Sequence, residues 1–347
     1  MISFRPGINS LRKAVGMSFP DLEAAAVDRW TIAPACRRYV RPARFLPGQL
    51  ERIRAAQFGT VADVIRDFRG GYEALQGETL GFRAKHVDLV DGVLYAARAN
   101  RSLRPRTLPL PLYAIPREVA TGAVYESWVG NRWFGNWLTE DCLTYRLAER
   151  HGSPVTTRLP SGGHVPRYAE RIGIRPATVG RVHFDELIFF RDSSQNLDKQ
   201  ARADELRTRL MANISAPEHP GVFLLRGSSG DCRLLANERI VAERLALERD
   251  FRVLDPSMAA VEEIIFHCAG ARVIAGVEGS HLVHGLAVMP RGAVLFVIQP
   301  PDRAVAALKI ITDRQDQGYA FVVGKGKQDN FTVDWMEIER TLDLALS

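Results

Sequence analysis

The sequence predicts an α/β protein whose C-terminal half folds as a parallel, Rossmann-like sheet, and three observations carry that expectation. First, short apolar runs at Val222–Leu225, Phe251–Leu254, Arg272–Ala275 and Ala293–Ile298 read as strands. They alternate with helical stretches at Asn237–Arg249, Val261–Ala269 and His281–Ala287, and strand–helix alternation at this spacing means parallel pairing. Second, a helical stretch at Asp198–Asn213, stopped by Ala216-Pro217-Glu218-His219-Pro220-Gly221, stands ahead of the series as a crossover. Third, two strands run straight into polar, glycine-bearing turns. These read Arg226-Gly227-Ser228-Ser229-Gly230-Asp231-Cys232-Arg233 and Gly276-Val277-Glu278-Gly279-Ser280-His281. In an open parallel sheet, ligands sit beyond the carboxyl ends of the strands, where loops lead into helix N-termini. Unpaired N–H groups and two arginines favour an anion, so the expected ligand bears phosphate.

The N-terminal half is less regular. Residues 1 to about 45 read as a lead-in arm or an edge hairpin, because Pro20, Pro34, Pro42 and Pro47 break any long helix. Val87 to Tyr95 alternates around Asp91-Gly92, the strongest short hairpin signal. A strand is expected at Ala123–Val129. An amphipathic helix follows over Asn136–Leu147, with Asn136 as its cap. Further expectations are a strand at Val155–Leu159, a helix at Pro166–Ile174 ended by Gly173, and strands at Ala177–His183 and Leu187–Arg191. The last helix, Asp334–Leu346, is expected across the domain interface or back on the first domain. At roughly 150 residues per domain, the 347 residues divide into an N-terminal domain 1–195, a C-terminal domain 196–330 and a terminal helix 331–347.

Composition narrows the function classes. The net charge of +6 is spread along the chain, with local clusters at Arg37, Arg38, Arg41 and Arg44 and at Arg98, Arg101, Arg104 and Arg106. Such charge suits an anionic ligand, an acidic membrane surface or nucleic acid. Nucleic acid ranks low, because the clusters lack the interleaved aromatics of a base-stacking platform and no recognised module occurs. The four cysteines, Cys36, Cys142, Cys232 and Cys268, form no Cys-x-x-Cys pair and no zinc spacing. This argues for a reducing compartment and against a structural metal. Residues 1–22 carry no long apolar run, so a cytoplasmic protein is expected, with peripheral contact of its basic N-terminal third to the inner membrane face.

Four pieces, in a fixed order over roughly residues 120 to 345, carry more specific information. They are Asn136-Trp137-Leu138-Thr139-Glu140; Leu225-Arg226 through Arg233 with Asn237-Glu238; Phe251-Arg252-Val253-Leu254-Asp255-Pro256 with the Val261–Ala269 helix running into Ile274-Ala275-Gly276; and Glu278-Gly279-Ser280-His281-Leu282 with Val297-Ile298. In these pieces the chain resembles glycosyltransferase family 61, which includes bacterial capsular-polysaccharide enzymes, plant xylosyltransferases and the extracellular O-GlcNAc transferase. The resemblance implies a B-type glycosyltransferase fold, two Rossmann-like domains facing a cleft, with donor residues at 220 to 300 and acceptor residues at 80 to 190. It also implies inverting transfer from a nucleotide-sugar donor to a hydroxyl of a glycan or lipid-linked glycan in surface-polysaccharide assembly; a UDP-linked donor is expected, though the resemblance itself sets no donor preference. A catalytically silent relative that binds nucleotide or glycan is the alternative. Two departures stand out. Asn136 occupies a place where the family usually has His, and Glu278-Gly279-Ser280-His281 stands where it usually has His-Gly-Ala-Gly.

The donor-side residues expected from this reading are Arg226, Arg233, Asn237, Gly279, Ser280 and His281. A guanidinium fork gives a diphosphate two parallel hydrogen bonds and stays charged at any working pH. Either arginine could instead pair with Asp231 or Glu238, and Asn237 could simply cap the helix after it. Gly279 lets backbone approach the ligand, and Ser280 offers a hydroxyl. Glu278 reads as an acceptor for ribose or sugar hydroxyls, as a base, or as an exposed loop carboxylate. Glu140 and Asp141 are the expected acceptor-side bases, since a carboxylate partly buried beside aromatics has a raised pKa; as first-turn acids they could also only serve the helix dipole. No metal or other cofactor is expected, and His281 with His284, three apart and lacking a third ligand, is not read as a metal pair.

Overall fold

The computed structural model describes residues 1–18, 20–158, 162–227 and 233–347. Contacts divide the chain into two compact units, 1–35 with 77–194 and 36–76 with 195–347.

In the second unit the expected parallel series forms, with one strand more than the sequence reading gave. His219–Leu224, Phe251–Leu254, Ala271–Val277, Val294–Gln299 and Gly318–Val323 make a five-stranded sheet. Every pairing is parallel, and the spatial order places 251–254 outside 219–224, followed by 271–277, 294–299 and 318–323. The strand Gly318–Val323 and the helix Ala307–Arg314 before it were not anticipated. Side chains alternate across the sheet. Phe223, Ala275, Phe296 and Ala320 share one core with Val241 and Leu245 of helix Glu238–Arg249 and with Ile338 and Leu342 of helix Trp335–Leu346. On Phe321, one residue along from Ala320, Phe68 of helix Val61–Arg69 stacks at a centroid distance of 4.3 Å. Burial on both faces explains why these strands are continuous apolar runs rather than alternating ones.

Two boundary expectations are corrected here. Residues 36–76 pack in the second unit and not with 1–195. Arg44 gives its N–H to the Tyr319 carbonyl (2.9 Å) and takes one from Phe321 (3.1 Å), so the segment lies along the outer edge of the sheet. The terminal helix, Trp335–Leu346, packs on this same sheet, its start capped by Asp334 accepting from Met336 N at 2.8 Å.

The first unit is not a second Rossmann-like half. Its main sheet runs 177–178, 154–156, 119–124, 182–191, 79–90, 93–96 and 99–102, with Ala26–Ala33 also paired to Thr79–Val90. The pairings among the first four are parallel, but Val182–Arg191 runs antiparallel to Thr79–Val90, which continues antiparallel into Val93–Ala96. A two-residue turn enforces this. Asp91 (φ 50°) and Gly92 (φ 73°) take the positive angles of the hairpin turn that Asp-Gly favours. Val119–Val124 forms where Ala123–Val129 was expected, and Ala177–His183 and Leu187–Arg191 resolve into Ala177–Thr178 and one long strand, Val182–Arg191. The N-terminal segment holds helix Arg5–Ala14 and strand Ala26–Ala33 instead of an arm. Asn136 does not cap: it is helical, without a side-chain cap bond, inside Phe134–Asn136, a π-helical turn Trp137–Asp141 and Cys142–His151. Gly173 does end helix Val165–Ile172, in the left-handed conformation.

Phe68 is fully buried. Phe68→Ala is expected to cost roughly 3–5 kcal/mol in chemical denaturation. A cost below about 1 kcal/mol would mean that residues 36–76 are not an integral part of the second unit's core.

Candidate functional site

The strand order of the second unit locates its ligand-binding edge. From 219–224 the chain moves outward to 251–254 and then crosses back to 271–277, so neighbouring strands 219–224 and 271–277 lead into connections that diverge. That divergence opens a crevice at the carboxyl ends of the two strands, the usual ligand position of doubly wound sheets with this order. Arg226 follows the first strand by two residues, and Glu278 and Gly279 follow the second directly.

Glu278 is buried, and its carboxylate lies between two guanidinium groups, with Arg233 Nη1 at 2.8 Å and Arg303 Nη1 at 3.1 Å from Oε2. Arg233 Nη1 also donates to the Glu278 carbonyl at 2.8 Å. Burial pushes the Glu278 carboxyl up, while Arg233, Arg303 and Arg226 each pull it down. Arg226, itself buried, stands beside Gly279: a Cβ there would overlap Arg226 Nη1 and lie 2.9 Å from Arg233 Nη1. Glycine is required at 279 by this close approach. The backbone N–H groups of Arg226 and Gly227 donate to Glu238, at 2.8 and 2.9 Å, tying the strand end to the first residue of helix Glu238–Arg249. Three buried arginines, Arg226, Arg233 and Arg303, thus gather around the buried Glu278 and its neighbour Gly279.

Arg303 was missed by the sequence reading, although the same rule would have found it. It lies four residues past Val294–Gln299, in a turn that the buried Gln299 holds by donating to Val305 O (2.9 Å) and accepting from Val305 N (3.2 Å). Both ring nitrogens of His281 are buried and lack hydrogen-bond partners among the described residues. Its pKa lies well below the ordinary histidine range, first because of burial and then because of Arg226, His284 and Arg233; the Leu224 carbonyl opposes this but is not placed for a good hydrogen bond. A neutral imidazole therefore adjoins the guanidinium groups. Ser280 is half-buried and opens the short 3₁₀ turn Ser280–Leu282 behind Gly279.

Asn237 does neither of the things expected of it. Its amide accepts from Val333 N (3.2 Å) and donates to Val333 O (2.8 Å), so it clasps the approach to the last helix rather than capping Glu238–Arg249 or facing a ligand. Ser228, Ser229, Gly230, Asp231 and Cys232 of the expected turn, with Leu159 and Ser161 of the first unit, lie outside the described residues.

Glu140 and Asp141 belong to the first unit. Asp141 is enclosed, with its carboxylate accepting from Ser127 N (3.0 Å) and Ser127 Oγ (2.7 Å) against Gly130, where a Cβ would overlap it. Burial pushes its pKa up to about 8 against the pull of those hydrogen bonds. The expected direction is present, but an acceptor hydroxyl does not reach a carboxylate so enclosed. Glu140 is half-buried. Trp137 is buried in the core.

Residues 105–296, more than half of the chain, match the family model described as Glycosyltransferase 61. No curated protein matches the chain. Among solved structures it is similar to the flavodiiron protein from Giardia intestinalis, at 9% identity and a TM-score of 0.27, over 78% of this chain and 63% of that one. The chain therefore spans less than two thirds of that protein, and so slight a likeness carries no argument. No helix among the described residues is long and apolar enough to cross a membrane.

Two measurements check this geometry. Gly279→Ala displaces the tips of two arginine side chains and, at φ 159°, also strains the backbone, so anion affinity is expected to fall about tenfold or more, the loss of roughly one charge-assisted hydrogen bond, together with about 1–3 kcal/mol of stability. Wild-type affinity would mean that the arginines do not face the ligand. For Asp141, the folded pKa near 8 exceeds the ordinary 3.8. The native protein keeps a proton that the unfolded chain has lost between those values, so this contribution to stability falls as pH rises from about 4 to 8. Asp141→Asn is expected to flatten the pH dependence of the denaturation midpoint over that window; an unaltered slope would refute the shift.

Proposed function

The chain belongs to the glycosyltransferase 61 family, and from that premise we propose that it moves a sugar from a nucleotide-sugar donor, UDP-linked, to a glycan hydroxyl with inversion, in surface-polysaccharide assembly. The observation that carries this reading is the gathering of three buried guanidinium groups around Glu278 and Gly279 at the diverging strand ends. Arginine cannot shed its proton, so the three groups favour a ligand that carries negative charge. A donor diphosphate brings that charge, with oxygens spaced for the guanidinium fork.

In this reading Arg226 and Arg233 bind the diphosphate. Glu278 is a positioning carboxylate, holding Arg233 and Arg303 in place, rather than the acceptor base. As the bond from C1 to the diphosphate oxygen breaks, negative charge grows on the leaving group, and fixed guanidinium groups in a desolvated site stabilise it without reorganising. The acceptor oxygen attacks C1 from the opposite side and its proton passes to a carboxylate. Of the two acids expected as that base, Asp141 is set aside because Ser127 and Gly130 enclose it. The neutral His281 adds a donor or acceptor beside the phosphates without adding charge.

Calorimetric titration with UDP, GDP and CMP, followed by donor turnover with a panel of nucleotide sugars, tests the reading. UDP is expected to bind, and Arg226→Ala to lose about tenfold to a hundredfold in affinity, as removal of a charged hydrogen bond predicts. Absence of binding by all three nucleotides, or unchanged affinity in both Arg226→Ala and Arg233→Ala, would defeat the assignment. Nucleotide binding without turnover of any donor would instead mark a silent binder.

A further inference from the structure

In the first unit, Val182–Arg191 pairs with Thr79–Val90 so that His183 faces Asp88, Phe184 faces Val87 and Glu186 faces Lys85. The ladder skips the intervening pair, Asp185 and His86, and there His86 adopts a left-handed backbone with φ 54°. Residues with a side chain seldom hold that conformation, and its presence in a long strand calls for a reason. The two-residue period of the strands places His183, Asp185, His86 and Asp88 on one face. The His86 and His183 rings lie 5.7 Å apart at 24°. Among the described residues, one ligand atom each from His86, His183 and Asp185 comes within 4.8 Å of the other two.

Asp88 sets the orientation of His183. It is 2% exposed; its Oδ1 lies 2.7 Å from His183 Nδ1, and its Oδ2 accepts from Arg5 Nη1 and Tyr113 Oη, both at 2.8 Å. The contact with the Asp88 carboxylate engages Nδ1 of His183 and leaves Nε2 as the ring nitrogen turned toward Asp185. That atom stands 3.7 Å from Asp185 Oδ1. The separation is too long for a hydrogen bond but near the ~3.4 Å between two ligands that each lie about 2.1 Å from a tetrahedral ion. A carboxylate behind a histidine whose other nitrogen points to a second carboxylate is the outer-shell arrangement of a metal-bound imidazole.

We propose that His86, His183 and Asp185 bind a divalent transition-metal ion of the zinc class, with Asp88 as the positioning carboxylate. Two imidazoles and one carboxylate form a donor set of intermediate softness that suits zinc over magnesium or calcium. Three protein ligands leave a position for water, on a side that the exposed His86 and Asp185 keep open to solvent. The ion bridges adjacent strands at the point where their ladder is interrupted.

The experiment titrates the full chain with Zn²⁺ against a chromogenic chelator and, separately, with Co²⁺ followed by visible absorption. One ion per chain is expected, with the intense bands of four-coordinate cobalt. His86→Ala and Asp185→Asn, at exposed side chains that leave the fold intact by circular dichroism, are expected to weaken binding at least tenfold and to abolish those bands. Asp88→Asn keeps every ligand and is expected to weaken binding about tenfold, as loss of an outer-shell partner does. Saturating zinc is expected to raise the melting temperature of the wild type and not of His86→Ala. Absence of saturable uptake, or wild-type affinity in both His86→Ala and Asp185→Asn, overturns the proposal.

Discussion

A single carboxylate set between guanidinium groups is the constraint on which the carboxyl edge of the second unit depends. Glu278 meets Arg233 and Arg303 inside the protein, where an arginine without a partner would be strongly destabilising. Its neighbour has no side chain because Arg226 and Arg233 occupy that space. The sequence Glu278-Gly279 is therefore one device: the acid gathers positive charge, and the glycine lets the charge come close to the backbone. At the place where the family usually has a histidine, this chain has the residue that organises its arginines. Sheet topology decides where the device sits, since only the strands 219–224 and 271–277 end beside a gap.

Such a cluster is held from several directions. Glu238 fixes the backbone after the first strand, Gln299 fixes the turn that carries Arg303, and Asn237 fastens the start of helix Glu238–Arg249 to Val333. Gln299 and Asn237 do so with neutral amides, and Glu238 with both carboxylate oxygens on backbone N–H groups. Rigid placement of unchangeable charge is the condition for electrostatic stabilisation of a leaving group.

Much of this was legible in the sequence where local pattern and tertiary role coincide. The alternation of buried strands and helices from Val222 onward, the turns holding Arg226 and Gly279, and the Asp91-Gly92 hairpin all rest on short-range signals. The rest depends on partners far away in the chain. Nothing near Phe68 signals that it will stack on Phe321, and nothing near Asn237 signals that Val333 will satisfy its amide. His86 and His183 stand almost a hundred positions apart, so no spacing rule joins them; strand register does. The first unit was misjudged as Rossmann-like because Val119–Val124 and Pro154–Thr156 are truly parallel, whereas the antiparallel part was visible only in one hairpin.

The discontinuous second unit also has a consequence for biosynthesis. Residues 36–76 leave the ribosome well before the strand they border, Gly318–Val323. The intervening residues 77–194 have their own core and close most of their contacts without waiting. Until that strand is made, Phe68 lacks the ring it stacks on, Phe321, and a nascent chain with such unpaired apolar surface is open to chaperone capture and to aggregation. Loop-closure entropy makes that late docking slow rather than unstable, so synthesis speed and temperature during expression act on yield through this segment before any property of the finished protein matters.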